Sequence, residues 1–207
     1  MQKIRTLLFT ILLFTSGLLL SCKNESLPKP KAFLALEYPV QEYSTFESQT
    51  KSFSFDKNKI ASVKEVKADA IEIHYPQMKA TIYLNYKRID KNLDKLFKDA
   101  QKLTYEHFIK ADDIIEQPYI NPNDKVYGMF YSLQGDAATN VQFYVTDSVK
   151  NFLTASLYFY ATPNYDSIYP AKEYIRSDMQ HIIETLKWRK DEITDFTIKC
   201  GPNEINM

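Results

Sequence analysis

Three strand-like segments that follow one another without a helix between them constrain the fold more than any other feature of this chain. They occupy residues 126–133, 141–146 and 152–160. In the last segment, apolar residues such as Leu153 alternate with polar ones such as Thr154, which is the period-two pattern of a strand with two different faces. Short turn-forming stretches separate the segments, so successive strands are expected to pair antiparallel. The sequence therefore predicts an antiparallel meander.

The rest of the chain adds further strands and two amphipathic helices. Strand patterns are found at residues 32–38, 43–55, 71–75 and 80–86, and the helical spacing of apolar residues is found at 92–110 and 170–187. Asn92 is a suitable N-cap for the first helix, and Pro170 suits the first turn of the second. Successive strands with only two helices are typical of an α+β domain. We therefore predict an antiparallel-rich sheet that is flanked by two main helices.

The N-terminal segment has the features of a lipoprotein signal. Lys3 and Arg5 precede an apolar run over residues 7–20, and Cys22 follows shortly after it. This is the organisation of a secretory signal peptide, and the run is shorter than the roughly 20 residues that a membrane-spanning helix needs. A cysteine at the first mature position distinguishes a lipoprotein signal, because its thiol accepts acyl chains such as palmitate. We predict lipidation of Cys22, and an ordinary signal with an incidental cysteine is the alternative.

The chain is therefore expected to have four parts. Residues 1–21 form the signal peptide, and residues 22–31 form a tether whose two prolines favour an extended backbone. Residues 32–188 form a single globular α+β domain, since a segment of this length can bury a sizeable core. Residues 189–207 form a polar C-terminal tail.

The composition argues against several classes of function. The 26 basic and 26 acidic residues balance each other, which does not resemble the basic surface of a protein that binds nucleic acid. The four glycines are too few and too scattered for a phosphate-binding loop or a dinucleotide-binding motif. The three histidines show no paired metal-ligand spacing. We therefore expect no catalytic residues, no metal site, no cofactor and no nucleic-acid partner, and we predict that the protein is not an enzyme.

Tyrosines near the end of the meander are the best candidates for a binding surface. Tyr158 and Tyr160 share one face of the last predicted strand, and the following loop at residues 162–169 projects Tyr165 and Asp166. Tyrosines on a sheet face and an adjoining loop can bind a partner protein or a carbohydrate. Two structural alternatives accompany this hypothesis. In one a helix covers the sheet face, and in the other the loop only caps the second helix.

Sequence blocks along most of the chain resemble one known family. They are LPKPK (27–31), LEYP (36–39), YPQMKATIYL (75–84), DAQKLTYEH (99–107), GMFY (128–131), SLYF (156–159), PNYDS (163–167) and ETLKW (184–188). On these blocks the chain resembles the GldD family of gliding-motility lipoproteins, from the lipobox at Cys22 to Trp188. The tail at residues 189–207 lies outside the resemblance.

The resemblance implies an envelope lipoprotein that gliding and the associated type IX secretion machinery require, with no established enzymatic activity. It also implies partners among the other gliding and secretion proteins of the envelope, besides the membrane that holds the lipid anchor. We expect the anchor in the outer membrane and the mature domain in the periplasm, because residues 23–26 match acidic surface-export signals poorly.

The order of strands and helices also resembles the PsbP-like α/β/α sandwich.

A non-enzymatic assembly or interaction factor is the main functional hypothesis, because the sequence combines a lipid anchor, a domain without catalytic motifs and the family resemblance. A periplasmic ligand-binding protein or an enzyme of unknown substrate is the alternative.

Overall fold

The computed structural model describes residues 38–49, 53–67, 69–107, 113–134, 139–160 and 165–189 of the chain. The signal segment, Cys22, the tether and nearly all of the polar tail lie outside these ranges. The predicted strand at residues 32–38 also lies outside them, except for Tyr38, which is not part of a strand. None of the helices in the described ranges combines the length and the apolar character that crossing a membrane requires.

Strands and two α-helices make up most of the described part of the chain. The strands are β1 (Tyr43–Glu47), β2 (Phe53–Asn58), β3 (Ser62–Lys67), β4 (Ala70–Tyr75), β5 (Ala80–Arg88), β6 (Asp113–Asn121), β7 (Val126–Gln134), β8 (Thr139–Thr146), β9 (Asn151–Phe159) and β10 (Lys187–Trp188). The helices are α1 (Leu93–His107) and α2 (Tyr165–Thr185), and a 3-10 helix at Pro76–Met78 joins β4 to β5. The predicted meander is confirmed as β7, β8 and β9.

Seven strands form one antiparallel sheet in the order β3-β4-β5-β9-β8-β7-β6. Strands β6 to β9 neighbour one another in sequence order, whereas β5 pairs with β9 although α1 and three strands separate them along the chain. This long-range pairing places two distant segments side by side in the sheet. A second, small sheet has the order β1-β2-β10.

The face of the large sheet that contacts α2, called the inner face below, forms the main hydrophobic core. Ile73, Ile82 and Leu157 come from three adjacent strands of this face. They are buried in one cluster with Ile175 and Met179 of α2. Full burial of such a side chain stabilises the fold by roughly 1.5–3 kcal/mol. The apolar stripe of α2 therefore fixes the helix on the sheet.

The opposite, outer face of the large sheet is covered by α1 over part of its area. Tyr131, Tyr144 and Phe152 of β7, β8 and β9 are buried there together with Leu96 of α1. The ring centroid of Phe97 lies 5.4 Å from that of Tyr144 and 5.6 Å from that of Phe152. Helix, sheet and helix thus form three layers. This confirms the predicted α+β fold, in which two main helices flank an antiparallel sheet.

The N-terminal strand prediction is wrong in one respect. Residues 43–55 form two strands rather than one, since β1 and β2 pair antiparallel with Phe46 opposite Phe55. The chain reverses between them, where the Ser48 N–H donates to the Phe53 carbonyl at 3.3 Å. The sequence pattern also does not predict β3, whose mostly polar residues suit an edge strand.

Two prolines interrupt the structure less than their sequence positions predict. Pro118 is expected to end a short segment, yet β6 continues through it, because this edge strand needs no N–H on its open side. Pro170 is expected to begin the second helix, but α2 begins at Tyr165. The loop predicted at residues 162–169 is therefore wrong from Tyr165 onwards. Pro170 lacks the N–H that would bond to the Asp166 carbonyl, and its ring crowds that carbonyl, so the first part of the helix forms at a cost.

Candidate functional site

Two tyrosines of the predicted surface lie on the outer face, where β4, β5 and β9 are neighbours. Tyr158 is in β9 opposite Thr81 of β5, and Tyr160 follows the end of β9. The Tyr160 N–H donates to the Lys79 carbonyl at 2.7 Å, which extends the pairing of the two segments. Because side chains alternate between the two faces of a sheet, Tyr83 points to the same side as this pair. The β5–β9 pairing therefore adds a third tyrosine to the site.

Tyr83 contacts both of the other tyrosines directly. The rings of Tyr83 and Tyr158 meet edge to face, with centroids 5.6 Å apart and an angle of 77° between the ring planes. The hydroxyl oxygens of Tyr83 and Tyr160 are 2.7 Å apart. The Tyr160 hydroxyl donates its single proton to Thr81 Oγ1 at 2.9 Å. Tyr83 is therefore the donor in its hydrogen bond with Tyr160.

This hydrogen-bond chain continues into β4. His74 Nδ1 lies 3.0 Å from Thr81 Oγ1, and His74 Nε2 lies 3.1 Å from Glu72 Oε2. When Thr81 donates to Nδ1, the neutral imidazole carries its proton on Nε2 and donates it to the carboxylate. The chain then runs in one direction through Tyr83, Tyr160, Thr81, His74 and Glu72. These five side chains and Tyr158 are called the tyrosine surface below.

The tyrosine surface is partly open to solvent, and it presents hydroxyl groups beside one imidazole and one carboxylate. The hydrogen bond to Tyr160, followed by burial, raises the pKa of Tyr83 to about 12. Tyr83 therefore keeps its proton at physiological pH. Tyr160 exposes 60% of its surface, whereas Tyr83 and Tyr158 are half-buried. Such a surface offers a partner aromatic edges and hydrogen-bonding hydroxyls.

The structure describes the side chains of two of the four predicted site residues, Tyr158 and Tyr160. Tyr165 and Asp166 belong to the first turn of α2, and their side chains lie outside the described part of the chain. The alternative hypothesis is that a helix covers the sheet face that bears Tyr158 and Tyr160. Helix α1 covers this face over β7 to β9, but Tyr160 remains exposed. Tyr83 is missed from sequence because its position beside β9 depends on pairing between distant strands. His74 joins the surface through β4, which pairs with β5. The alternation within β5 is the signal that assigns Tyr83 to one face.

A second polar network lies on the other side of the large sheet, between α2 and β1, β2 and β4. Its centre is Asp178 of α2, which is 1% exposed. Tyr43 OH and Tyr75 OH each donate to this carboxylate at 2.9 Å, and Gln41 Nε2 donates at 3.0 Å. Asn58 Nδ2 lies 3.2 and 3.0 Å from its two oxygens. These five side chains, called the Asp178 network below, tie α2 to both sheets.

The electrostatics of the Asp178 network are those of a buried carboxylate with neutral donors. Burial raises the pKa of Asp178, and hydrogen bonds from Tyr43, Asn58 and Tyr75 oppose this shift. Among the side chains that the structure describes, no three His, Cys, Asp or Glu residues are grouped so that they could hold an ion.

The chain is similar to one described protein family over most of its length. Residues 23–188 match the family model described as gliding motility lipoprotein GldD. No curated protein matches the chain. Among solved structures, it is similar to cyanobacterial PsbP (CyanoP) from Synechocystis sp. PCC 6803, with 6% sequence identity and a TM-score of 0.47. That similarity covers 72% of this chain and 94% of the other.

Proposed function

Because the chain belongs to the GldD family of gliding motility lipoproteins, we propose that it is a non-enzymatic assembly or interaction factor of the gliding machinery and the associated type IX secretion machinery. Membership of the family implies a lipoprotein that takes part in gliding motility, and the family is not a known enzyme family. The proposed partners are other envelope proteins of these machineries. The proposed contact surface is the tyrosine surface.

The main observation behind this proposal is an exposed tyrosine that is held in place at both ends. Tyr160 exposes 60% of its surface, while its hydroxyl bonds to Tyr83 and Thr81 and its N–H bonds to the Lys79 carbonyl. Tyrosine is enriched among the residues that dominate protein interfaces. A side chain that is ordered before binding also loses less conformational entropy when the partner arrives. The geometry therefore favours Tyr160 as an anchor residue.

We further propose that Cys22 carries the lipid anchor and that residues 22–31 link it to the domain. The support is the lipobox before Cys22, and acylation with more than one chain provides stable anchoring. The proposed location is the outer membrane, with the domain facing the periplasm. Labelled acyl chains should be incorporated into the wild type and not into Cys22→Ala. An unlabelled wild-type protein would contradict the anchor.

The contact surface is tested with Tyr160→Ala and a matched control, Tyr105→Ala. Tyr105 of α1 is 49% exposed and donates one hydrogen bond, to Glu116 Oε1 at 2.7 Å. Loss of an anchor residue costs about 2 kcal/mol or more of binding free energy, which is roughly a thirtyfold loss of affinity. We expect Tyr160→Ala to lose co-purifying gliding and secretion proteins from solubilised envelopes, and to glide poorly at normal abundance. Tyr105→Ala should behave like the wild type.

Two results would count against this surface. One is that both variants retain partners and gliding equally. The other is that Tyr160→Ala reduces gliding only in proportion to a lower abundance of the protein. Either result leaves family membership intact and removes the tyrosine surface from the proposal.

A further inference from the structure

A cavity of about 330 Å³ lies between α2 and the inner face of β6 and β7. It belongs to neither the tyrosine surface nor the Asp178 network. Its walls on the sheet side include Gln117 of β6 with Ser132 and Gln134 of β7. Elsewhere the inner face is apolar and forms the main core. At this end of the sheet the cavity walls also include Ile115 of β6 and Phe130 of β7, so the lining combines polar and apolar side chains.

The helix side of the cavity contributes a buried cation. Lys172 is only 2% exposed, and burial lowers its pKa. Its ammonium lies 3.5 Å from Glu173 Oε1 and 5.6 Å from the ring centroid of Tyr169. The other oxygen of Glu173 accepts from Arg176 Nε at 2.8 Å. Two cations and one carboxylate therefore line the same cavity.

The lining suits a small ligand that carries a negative charge. Lys172 and Arg176 share one carboxylate, that of Glu173, so these three side chains carry a formal charge of one positive unit that a ligand oxyanion would balance. Gln117, Gln134 and Ser132 can donate and accept hydrogen bonds, so they suit a polar, uncharged body attached to the anion. The volume of about 330 Å³ is at the lower end of the range for ligand pockets.

An extended peptide strand fits this edge of the sheet less well. The Ile114 N–H already bonds to its neighbour Asp113 Oδ1 at 2.9 Å. Pro118, four residues further along β6, has no N–H and points its nitrogen to the same side. Strand addition needs regularly spaced backbone N–H donors on the open edge of a sheet, and β6 lacks two of them.

We propose that this cavity binds a small molecule with one oxyanion, either a carboxylate or a phosphate. Lys172 contacts the oxyanion, and Gln117, Gln134 and Ser132 hydrogen-bond to the polar body of the molecule. Arg176 adds positive charge at the cavity. The site is independent of the proposed partner surface, so either one can fail without the other.

Calorimetric titration of the full-length protein, purified in detergent, tests the site. The probes are glucuronate for the carboxylate, inorganic phosphate for the phosphate, and glucose as the neutral counterpart of glucuronate. We expect saturable binding of at least one anion, and glucose should bind at least tenfold more weakly than glucuronate if the carboxylate is the ligand group. Lys172→Met should weaken binding at least tenfold. Lys187→Met, which removes an exposed lysine outside this cavity, should leave it unchanged.

A second variant guards against a folding defect in Lys172→Met, and thermal melting identifies such a defect. Gln117 is exposed on the edge strand, so Gln117→Leu should fold normally and bind the same anion severalfold more weakly. The proposal is overturned if neither anion binds the wild type. It is also overturned if Lys172→Met folds and binds the anion as tightly as the wild type. If Lys172→Met does not fold, the same result for Gln117→Leu overturns the proposal.

Discussion

The Asp178 network and the tyrosine surface use the same kinds of side chain and differ in geometry and exposure. In the first, donors from four residues converge on one carboxylate that is 1% exposed. In the second, hydrogen bonds link Tyr83, Tyr160 and Thr81 in a chain, and Tyr160 within the chain is 60% exposed. A buried donor that loses its acceptor stays unsatisfied, whereas water can replace a bond lost at an exposed position. The comparison therefore assigns stability to the buried network and leaves the exposed one available for binding.

The largest effect is expected for Asp178→Ala. It leaves the buried Tyr75 hydroxyl and one N–H of the Asn58 amide without their acceptor, while the amide keeps its bond to the Tyr174 hydroxyl. Each unsatisfied group costs about 1–3 kcal/mol. We expect the free energy of unfolding to fall by about 3 kcal/mol or more. Urea unfolding measures this, and Asp99→Ala on the exposed side of α1 should change stability by no more than about 0.5 kcal/mol. Similar values for both variants would remove the distinction between the two networks.

A smaller effect is expected for Tyr75→Phe, which removes one buried donor and keeps the ring. A hydrogen bond to a charged group contributes about 1.5–3 kcal/mol when it is buried. Tyr43→Phe removes a donor to the same carboxylate, but from a half-buried position where water can substitute. We expect Tyr75→Phe to cost about 2 kcal/mol of unfolding free energy and Tyr43→Phe clearly less. Equal costs would show that exposure is not the property that separates the networks.

The smallest effect on stability is expected for Tyr160→Phe, within about 0.5 kcal/mol, because its hydroxyl is at the surface. The same change removes the hydrogen bond that contributes most to raising the pKa of Tyr83. The pKa of Tyr83 should therefore fall from about 12 towards its ordinary value of 10.0. Phenolate absorbance, taken as the difference from Tyr83→Phe in the same background, measures this shift. An unchanged pKa would show that the chain of hydroxyl groups is not formed.

The sign of the pH dependence follows from the direction of this shift. Since the folded pKa of Tyr83 lies above the unfolded value, the folded protein holds this proton longer as the pH rises. The stability that the raised pKa of Tyr83 contributes is complete below pH 10 and is lost as the pH rises towards 12. In Tyr160→Phe this loss should shrink, because the two pKa values come closer together.

Local patterns in the sequence predict the meander, both helices and the shared face of Tyr158 and Tyr160. They do not predict the reversal between β1 and β2, because residues 47–52 contain no Gly, Pro, Asn or Asp that would mark a turn. They also do not identify Tyr83 as a neighbour of β9, since the strands pair across a long stretch of chain. Asp178 follows Ile175 by three residues and precedes Ile182 by four, so it lies on the apolar stripe of α2. A charged residue on that stripe is the signal for a buried network. The donors to Asp178 come from three strands, β1, β2 and β4, and from the segment before β1.

The Asp178 network also determines how mechanical tension would enter the domain. Gln41 donates to the Tyr174 carbonyl at 3.1 Å as well as to Asp178, and the Tyr38 ring stacks on the Tyr174 ring with centroids 5.2 Å apart. These are among the first described residues on the N-terminal side, so a pull from that side is taken up by α2 before it reaches β5 or β9. The load is shared by several side-chain contacts rather than by the end of one strand. The tyrosine surface, on the far side of the large sheet, can therefore keep its shape while the domain is under tension.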